Sequence, residues 1–176
     1  MSMLLDLSRF RSGLDHVVRQ FAPSDFVDGA TGAEEFRIAG PVNLDVKVQK
    51  DSLKVRLVGR VAAVLEIDCG RCLEPFRVPV DATFDSLFLP LAEVTGEAEK
   101  EVVAEDMGVS VYQNDTIDLG DVMREQFYLA LPMKPLCRPD CQGLCPVCGA
   151  NRNRESCTCQ TEWVDPRFEA LKRLLP

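Results

Sequence analysis

At 176 residues, with 46% apolar and 27% charged side chains, the chain has material for one cored domain of ordinary size and a small appendage, and its composition excludes a disordered polymer. The formal net charge of −8 is local: residues 81–120 hold 10 acidic side chains and one basic, whereas residues 1–80 hold 11 of each and residues 121–176 hold 7 acidic and 8 basic. Acidity therefore does not exclude a polyanion partner, because the C-terminal third is nearly neutral and has room for a basic face.

Asp6, Arg9, Arg11, Asp15 and Arg19 interrupt the stretch from Met1 to Gln20, so it reads as neither a signal peptide nor a membrane span, and its acidic residues argue against an organelle transit peptide. The expected location is a reducing cytoplasm, where cysteines serve as metal ligands or redox thiols more often than as stable disulfides. Leu14 to Phe21 is β-patterned. Apolar and polar residues then alternate through Val42, Leu44, Val46 and Val48, and again through Leu53, Val55 and Leu57, which predicts strands joined by a hairpin turn over Gln49 to Ser52. A further strand from Val61 to Ile67 runs into Cys69, and another with Phe76, Val78 and Val80 leaves after Cys72, so the first cysteine pair sits in a strand-to-strand turn. Gly70 offers that turn backbone freedom, and Pro75 opposes a helix starting at Cys72.

Glu93, Glu97, Glu99, Glu101, Glu105 and Asp106, together with Pro90 and Gly96, predict a solvated, irregular connection from Pro90 to Met107. A helix follows from about Leu119 to Leu131. Asp118 is its N-cap, Leu119, Val122, Met123, Phe127 and Ala130 share its apolar face, and Pro132 stops it. A shorter terminal helix is predicted after Asp165 as cap and Pro166 at the first helical position, with Phe168, Leu171, Leu174 and Leu175 as its apolar stripe.

The eight cysteines form four close pairs with none left over: Cys69-x-x-Cys72, Cys137-x-x-x-Cys141, Cys145-x-x-Cys148 and Cys157-x-Cys159. Zinc takes four thiolates at tetrahedral corners about 2.3 Å away, and a close pair offers two corners from one tight turn. Four pairs therefore make two closed sites, for two zinc ions. Cys145-Pro146-Val147-Cys148-Gly149 has the form of a zinc-ribbon knuckle, in which Gly149 suits the positive φ that often follows the second cysteine. Eight residues separate Cys148 from Cys157, enough for the chain to turn back, so a tail site of Cys145, Cys148, Cys157 and Cys159 is expected. Cys69 and Cys72 would then join Cys137 and Cys141 across 64 intervening residues, clipping the β-hairpin to the segment after the main helix. The spacing leaves a rival open, in which Cys137 and Cys141 share a metal with Cys145 and Cys148 or with the distal pair.

A structural zinc contributes about 10–16 kcal/mol of apparent binding free energy. That matches a whole domain's net stability of about 5–15 kcal/mol, and the segment from Arg138 to Thr161 is too poor in apolar residues to fold without such help. Four thiolates on one zinc leave a charge of about −2, which Arg71, Arg138, Arg152 and Arg154 are placed to offset; contact with phosphate is the other use open to them. The expected architecture is α+β: a mainly antiparallel β core with one main helix, and a zinc-stabilised C-terminal segment ending in a short helix. Residues 1–135 are read as the core and 136–176 as the cysteine-rich tail, packed as one unit with it.

Catalytic chemistry finds little support. Open catalytic zinc sites commonly use histidine ligands or a nearby general base, and the lone histidine, His16, is far in sequence from every cysteine. The zinc deaminase signature fails at both halves, since Val17 and Val18 follow His16 and Leu144 precedes Cys145. A thioredoxin-like dithiol would open a helix, which Pro75 and the β-patterned flanks of Cys69-Gly70-Arg71-Cys72 oppose. There is neither a glycine-rich phosphate loop nor a serine-nucleophile elbow.

The ordered text Leu136-Cys137, Cys141-Gln142-Gly143-Leu144-Cys145-Pro146-Val147-Cys148-Gly149-Ala150-Asn151, Cys157-Thr158-Cys159 and Asp165-Pro166-Arg167 resembles the YceD family of large ribosomal RNA subunit accumulation proteins. Asp68-Cys69-Gly70-Arg71-Cys72-Leu73 and the helix ending Leu129-Ala130-Leu131-Pro132 fit the same pattern in the same order, so the resemblance covers residues 50 to 175. One departure is Asn151-Arg152-Asn153, where family tails often read Asn-Leu-Asn; the ligands are untouched and a positive charge is added. The resemblance implies a cytoplasmic, non-enzymatic factor for accumulation of large-subunit ribosomal RNA and for ribosome assembly. On that reading a zinc-fixed surface with Arg138, Arg152, Arg154, Lys172 and Arg173 meets RNA or a ribosomal protein, and the acidic stretch 81–120 is an alternative surface for a basic ribosomal protein. Two other classes stay open: a redox switch that ejects zinc and gains holdase activity on oxidation, and a structural zinc module of an unrelated complex.

Overall fold

The computed structural model describes residues 3–10, 13–26, 35–94 and 109–159. The chain divides into two compact units, one of Met1–Ile67 with Phe76–Met133, the other of Asp68–Pro75 with Lys134–Pro176.

Strand-period alternation builds the first unit. Its strands are β1 (Leu4–Asp6), β2 (Gly13–Phe21), β3 (Arg37–Ile38), β4 (Val42–Asp51), β5 (Lys54–Asp68), β6 (Pro75–Pro90), β7 (Val109–Tyr112) and β8 (Thr116–Asp118). One sheet runs β2-β4-β5-β6-β7, with β3 also pairing with β5, while β1 and β8 pair separately. Pairing is antiparallel for β2 with β4, β4 with β5, and β1 with β8, but parallel for β6 with β7, so the sheet is mixed. Parallel neighbours need a connection longer than a tight turn, and the acidic stretch after β6 supplies that length. A one-turn helix, α1, occupies Leu91–Val94 at its start; the rest of the predicted irregular connection lies outside the described residues, as does the predicted terminal helix.

Two details of the β4–β5 hairpin differ from the sequence expectation. Asp51 pairs with Lys54, so the turn holds only Ser52 and Leu53, with Ser52 at φ 54°, and not Gln49 to Ser52. The two predicted strands after it are one 15-residue strand, β5. Gly59 hides that continuity, because it falls where the apolar pattern wants a side chain. A Cβ there would lie 2.5 Å from the Asp45 carbonyl oxygen and 3.0 Å from Cζ of Phe84, so the missing side chain is what lets Phe84 pack.

The buried face of the sheet packs with helix α2 (Leu119–Ala130), whose Leu119, Val122, Met123, Gln126 and Phe127 are buried at helical spacing. Asp118 caps it by accepting from the Gly120 amide at 2.7 Å, and Leu131 closes its last turn by donating to the Phe127 carbonyl. Ala130, expected on the apolar face, is exposed. Phe127 meets Phe36 edge-on at 5.8 Å between centroids and Phe26 at 6.3 Å, and belongs to the same core cluster as the fully buried Val46, Leu57 and Leu65. The opposite face is polar: Arg56 pairs with Asp85, Arg60 with Asp81, and His16 with Asp45 at 2.6 Å, giving the lone histidine an ordinary surface role.

Candidate metal centres

The second unit has a different interior. Among its described residues the buried ones are Cys69, Cys72, Cys141, Gly143 and Cys145, and the apolar cluster of the chain includes none of them. Two of the cysteine pairs are built on the same turn. Between β5 and β6, the Leu73 amide donates to the Cys69 carbonyl at 2.9 Å and Leu73 takes φ 57°. In the tail, the Gly149 amide donates to the Cys145 carbonyl at 2.9 Å and Gly149 takes φ 73°. The left-handed residue after the second cysteine lets amides inside the turn face the first sulfur. Gly149 fills that place as its sequence suggests; in the other turn Leu73, not Gly70, does so. Gly70 instead donates its amide to the Pro135 carbonyl at 2.7 Å.

The eight sulfurs gather as Cys69, Cys72, Cys137 and Cys141 in one group and Cys145, Cys148, Cys157 and Cys159 in the other, with all sulfurs of a group within 4.8 Å of one another. This is the grouping with a local tail cluster, not the rival. None of the eight is in a disulfide. In the first group Cys69 lies 3.8 Å from Cys141 and Cys72 3.7 Å from Cys137, sulfur to sulfur. A tetrahedron of about 2.3 Å radius has edges of about 3.8 Å, so these separations fit four thiolates around one ion. An all-sulfur tetrahedral set suits zinc or iron–sulfur chemistry.

Without a cation the thiols of each group cannot ionise together. Burial opposes ionisation of Cys69, but the amides of Cys137, Cys72 and Arg71 outweigh it and bring the thiol down to about 6. Burial, then the Cys72, Cys141 and Cys69 side chains, push Cys137 up to about 12. The tail group repeats this: amides of Cys148 and Val147 bring Cys145 down to about 6, whereas the Cys148 side chain, then burial, push Cys159 up to about 12. Each group thus pairs one thiol brought down to about 6 with one pushed up to about 12, and the latter needs a cation before releasing its proton.

The surrounding polar side chains serve mainly to hold the sulfurs. Arg71 donates to the Cys141 carbonyl at 2.8 Å, and its own carbonyl accepts from Leu144. That close approach needs Gly143, at φ 72°, where a Cβ would come within 3.0 Å of the Arg71 carbonyl oxygen. Of the predicted nucleic-acid contacts, Arg154 pairs with Glu74 at 2.6 Å, and Arg138 donates to Asn153 at 2.7 Å with Asp140 3.6 Å away. The Arg152 side chain is exposed, and its amide holds the Gly143 carbonyl. Lys172 and Arg173 lie outside the described residues. Sequence reasoning gave no role to Asn153, whose Nδ2 donates to the Cys141 sulfur at 3.3 Å. The only available signal was two asparagines spaced one residue apart between cysteine pairs.

Residues 57–175 match the family described as large ribosomal RNA subunit accumulation protein YceD. The chain belongs to the YceD family. An uncharacterised protein of Mycobacterium tuberculosis is 37% identical over 134 residues, covering 76% of this chain and 62% of that relative, so the YceD chain described here spans less than two thirds of its length. The chloroplastic large ribosomal RNA subunit accumulation protein YCED homolog 1 of Zea mays is 27% identical, over 68% of this chain and 49% of its own. Protein YlbN of Bacillus subtilis is 25% identical, over 80% and 78%. No solved structure is a significant match. Among the described residues, no helix is long and apolar enough to cross a membrane.

Proposed function

We propose that the protein is a non-enzymatic, cytoplasmic accessory factor for accumulation of large-subunit ribosomal RNA and for ribosome assembly, in which two structural zinc ions fix the binding surface. Membership of the YceD family carries the ribosomal half of this reading. The two four-sulfur groups support the zinc half, because four thiols per group leave no vacant corner for a substrate. Zinc fixes the unit that carries Arg138, Arg152 and Arg154, and this surface meets ribosomal RNA or a ribosomal protein.

Metal analysis of the purified chain tests the zinc half. Two zinc ions per chain are expected, falling to one in Cys69→Ser and to one in Cys157→Ser; a Cys157→Ser protein that keeps both removes the tail site. Depletion in the host tests the ribosomal half, with large-subunit RNA falling relative to small-subunit RNA. Direct RNA contact predicts affinity that drops steeply with salt. A zinc-loaded protein that fails to bind RNA at low ionic strength leaves a ribosomal protein as the partner.

The exposure of Cys148 supports a second reading, a redox-regulated zinc-switch chaperone, because an exposed thiolate is the easier one to oxidise. Peroxide treatment that releases zinc without any gain in holdase activity reduces this to oxidative damage.

A further inference from the structure

Asn153 lies in the loop between Cys148 and Cys157 of the tail group, yet its side chain reaches a sulfur of the other group. The loop is fastened locally. Leu144 bridges to Asn151, the Cys145 amide donates to the Ala150 carbonyl, and the amides of Arg154 and Glu155 both donate to the Asn151 carbonyl. Asn151 then fixes Asn153, its Oδ1 accepting from the Asn153 amide at 3.0 Å and from Nδ2 at 2.9 Å. Oδ1 of Asn153 accepts from the Gln142 amide at 2.9 Å and from Arg138 at 2.7 Å, which leaves Nδ2 facing Cys141 Sγ at 3.3 Å.

Every polar atom of this amide is committed, and its donor is aimed at a sulfur that must carry negative charge when a metal is bound. A hydrogen bond to a ligating sulfur orients it toward the metal and strengthens its hold, as partners just outside the ligand shell do. The donor's position depends on a loop both of whose ends are ligands of the other group. We infer that Asn153 couples the two cysteine groups, so that metal in the tail group raises the affinity of the first group by presenting the Asn153 amide to Cys141. By linkage, metal in the first group raises tail-group affinity by the same factor. The inference rests on both groups binding metal, as proposed above.

The test is zinc competition against a chromogenic chelator, using the full chain. First-group affinity is compared with the tail group intact and with Cys157→Ser and Cys159→Ser together, each in the Asn153 and Asn153→Asp backgrounds. Asp keeps the acceptor for Gln142 and Arg138 but replaces the donor with a charge. Loss of the tail group is expected to weaken the first by about tenfold or more, in line with partners that orient metal ligands. In Asn153→Asp that ratio should fall to near one. An unchanged ratio in Asn153→Asp, or a ratio of one with Asn153 present, overturns the coupling. As a control, Asn153→Asp in a Cys69→Ser, Cys72→Ser background should leave tail-group affinity within about twofold. A collapse there means that Asn153 merely holds its loop, and the assignment fails. Wild-type protein with fewer than two zinc ions refutes the metal reading itself, whereas two ions binding independently refute only the coupling.

Discussion

The two units of this chain are held by different chemistry. In the first, Phe127, Leu57, Leu65 and Val46 are removed from water by a one-sided sheet and the amphipathic helix α2. Among the described residues of the second, the positions that would be aliphatic in an ordinary core are sulfur: Cys69, Cys72, Cys141 and Cys145 are buried, and Val147 and Leu73 are exposed at 64% and 65%. In that described part, buried sulfur stands where a core would have apolar side chains, so its order should depend on what binds the thiols. The difference predicts that the units respond to different insults.

The largest effect should follow metal removal. Each zinc is expected to contribute about 10–16 kcal/mol of apparent binding free energy, so chelation should abolish the order of the second unit while the sheet's slow-exchanging amides persist. Hydrogen exchange before and after chelation reads this directly, and equal loss of protection in both units would erase the distinction. Next, Phe127→Ala should cost about 3–5 kcal/mol of unfolding free energy in denaturant titration followed by sheet circular dichroism. Its zinc content should stay at the wild-type value.

Protons separate the units further. Zinc affinity should rise with pH between about 6 and 9, because Cys69 and Cys145 are ionised from about 6 upward while Cys137 and Cys159, held near 12, must still release protons on binding. Chelator competition at pH 6.5 and 8.5 measures the slope, and a flat profile would show that the thiols are not the ligands. The smallest effect lies in the two matching turns. Gly149→Ala meets nothing within 4 Å, so only its φ of 73° matters. The change should cost about 1 kcal/mol. Leu73→Gly at φ 57° should be neutral or gain up to about 1 kcal/mol, since it removes the same strain. Thermal melts of zinc-loaded protein compare them.

Strand and helix periods are legible in β4 and α2, where one face is buried: these and the Asp118 cap follow from Val42 to Val48 and from Leu119 to Phe127. The pattern failed where a glycine stands in an apolar row, as Gly59 does, and where elements are too short to have a period, as with β1 and β8. The turn joining β7 to β8 puts Asn114 and Asp115 both at φ 51°, a pairing that asparagine and aspartate tolerate. The cysteine spacing carried the four close pairs, because a C-x-x-C turn is local, and left open which pairs share a group. It could not carry Asn153 or Arg71, whose partners lie 12 and 70 residues away and depend on the fold.

The two groups also differ in the order in which a ribosome would make them. The tail group is complete once the chain has passed from Cys145 to Cys159. The first group draws one half from the turn between β5 and β6 and the other from beyond α2, so Cys69 and Cys72 emerge long before Cys141. At about 5–20 residues per second, those two thiols spend roughly 3–14 seconds as an unfinished pair during synthesis. During that interval they are open to any thiophilic ion or oxidant that the nascent chain meets.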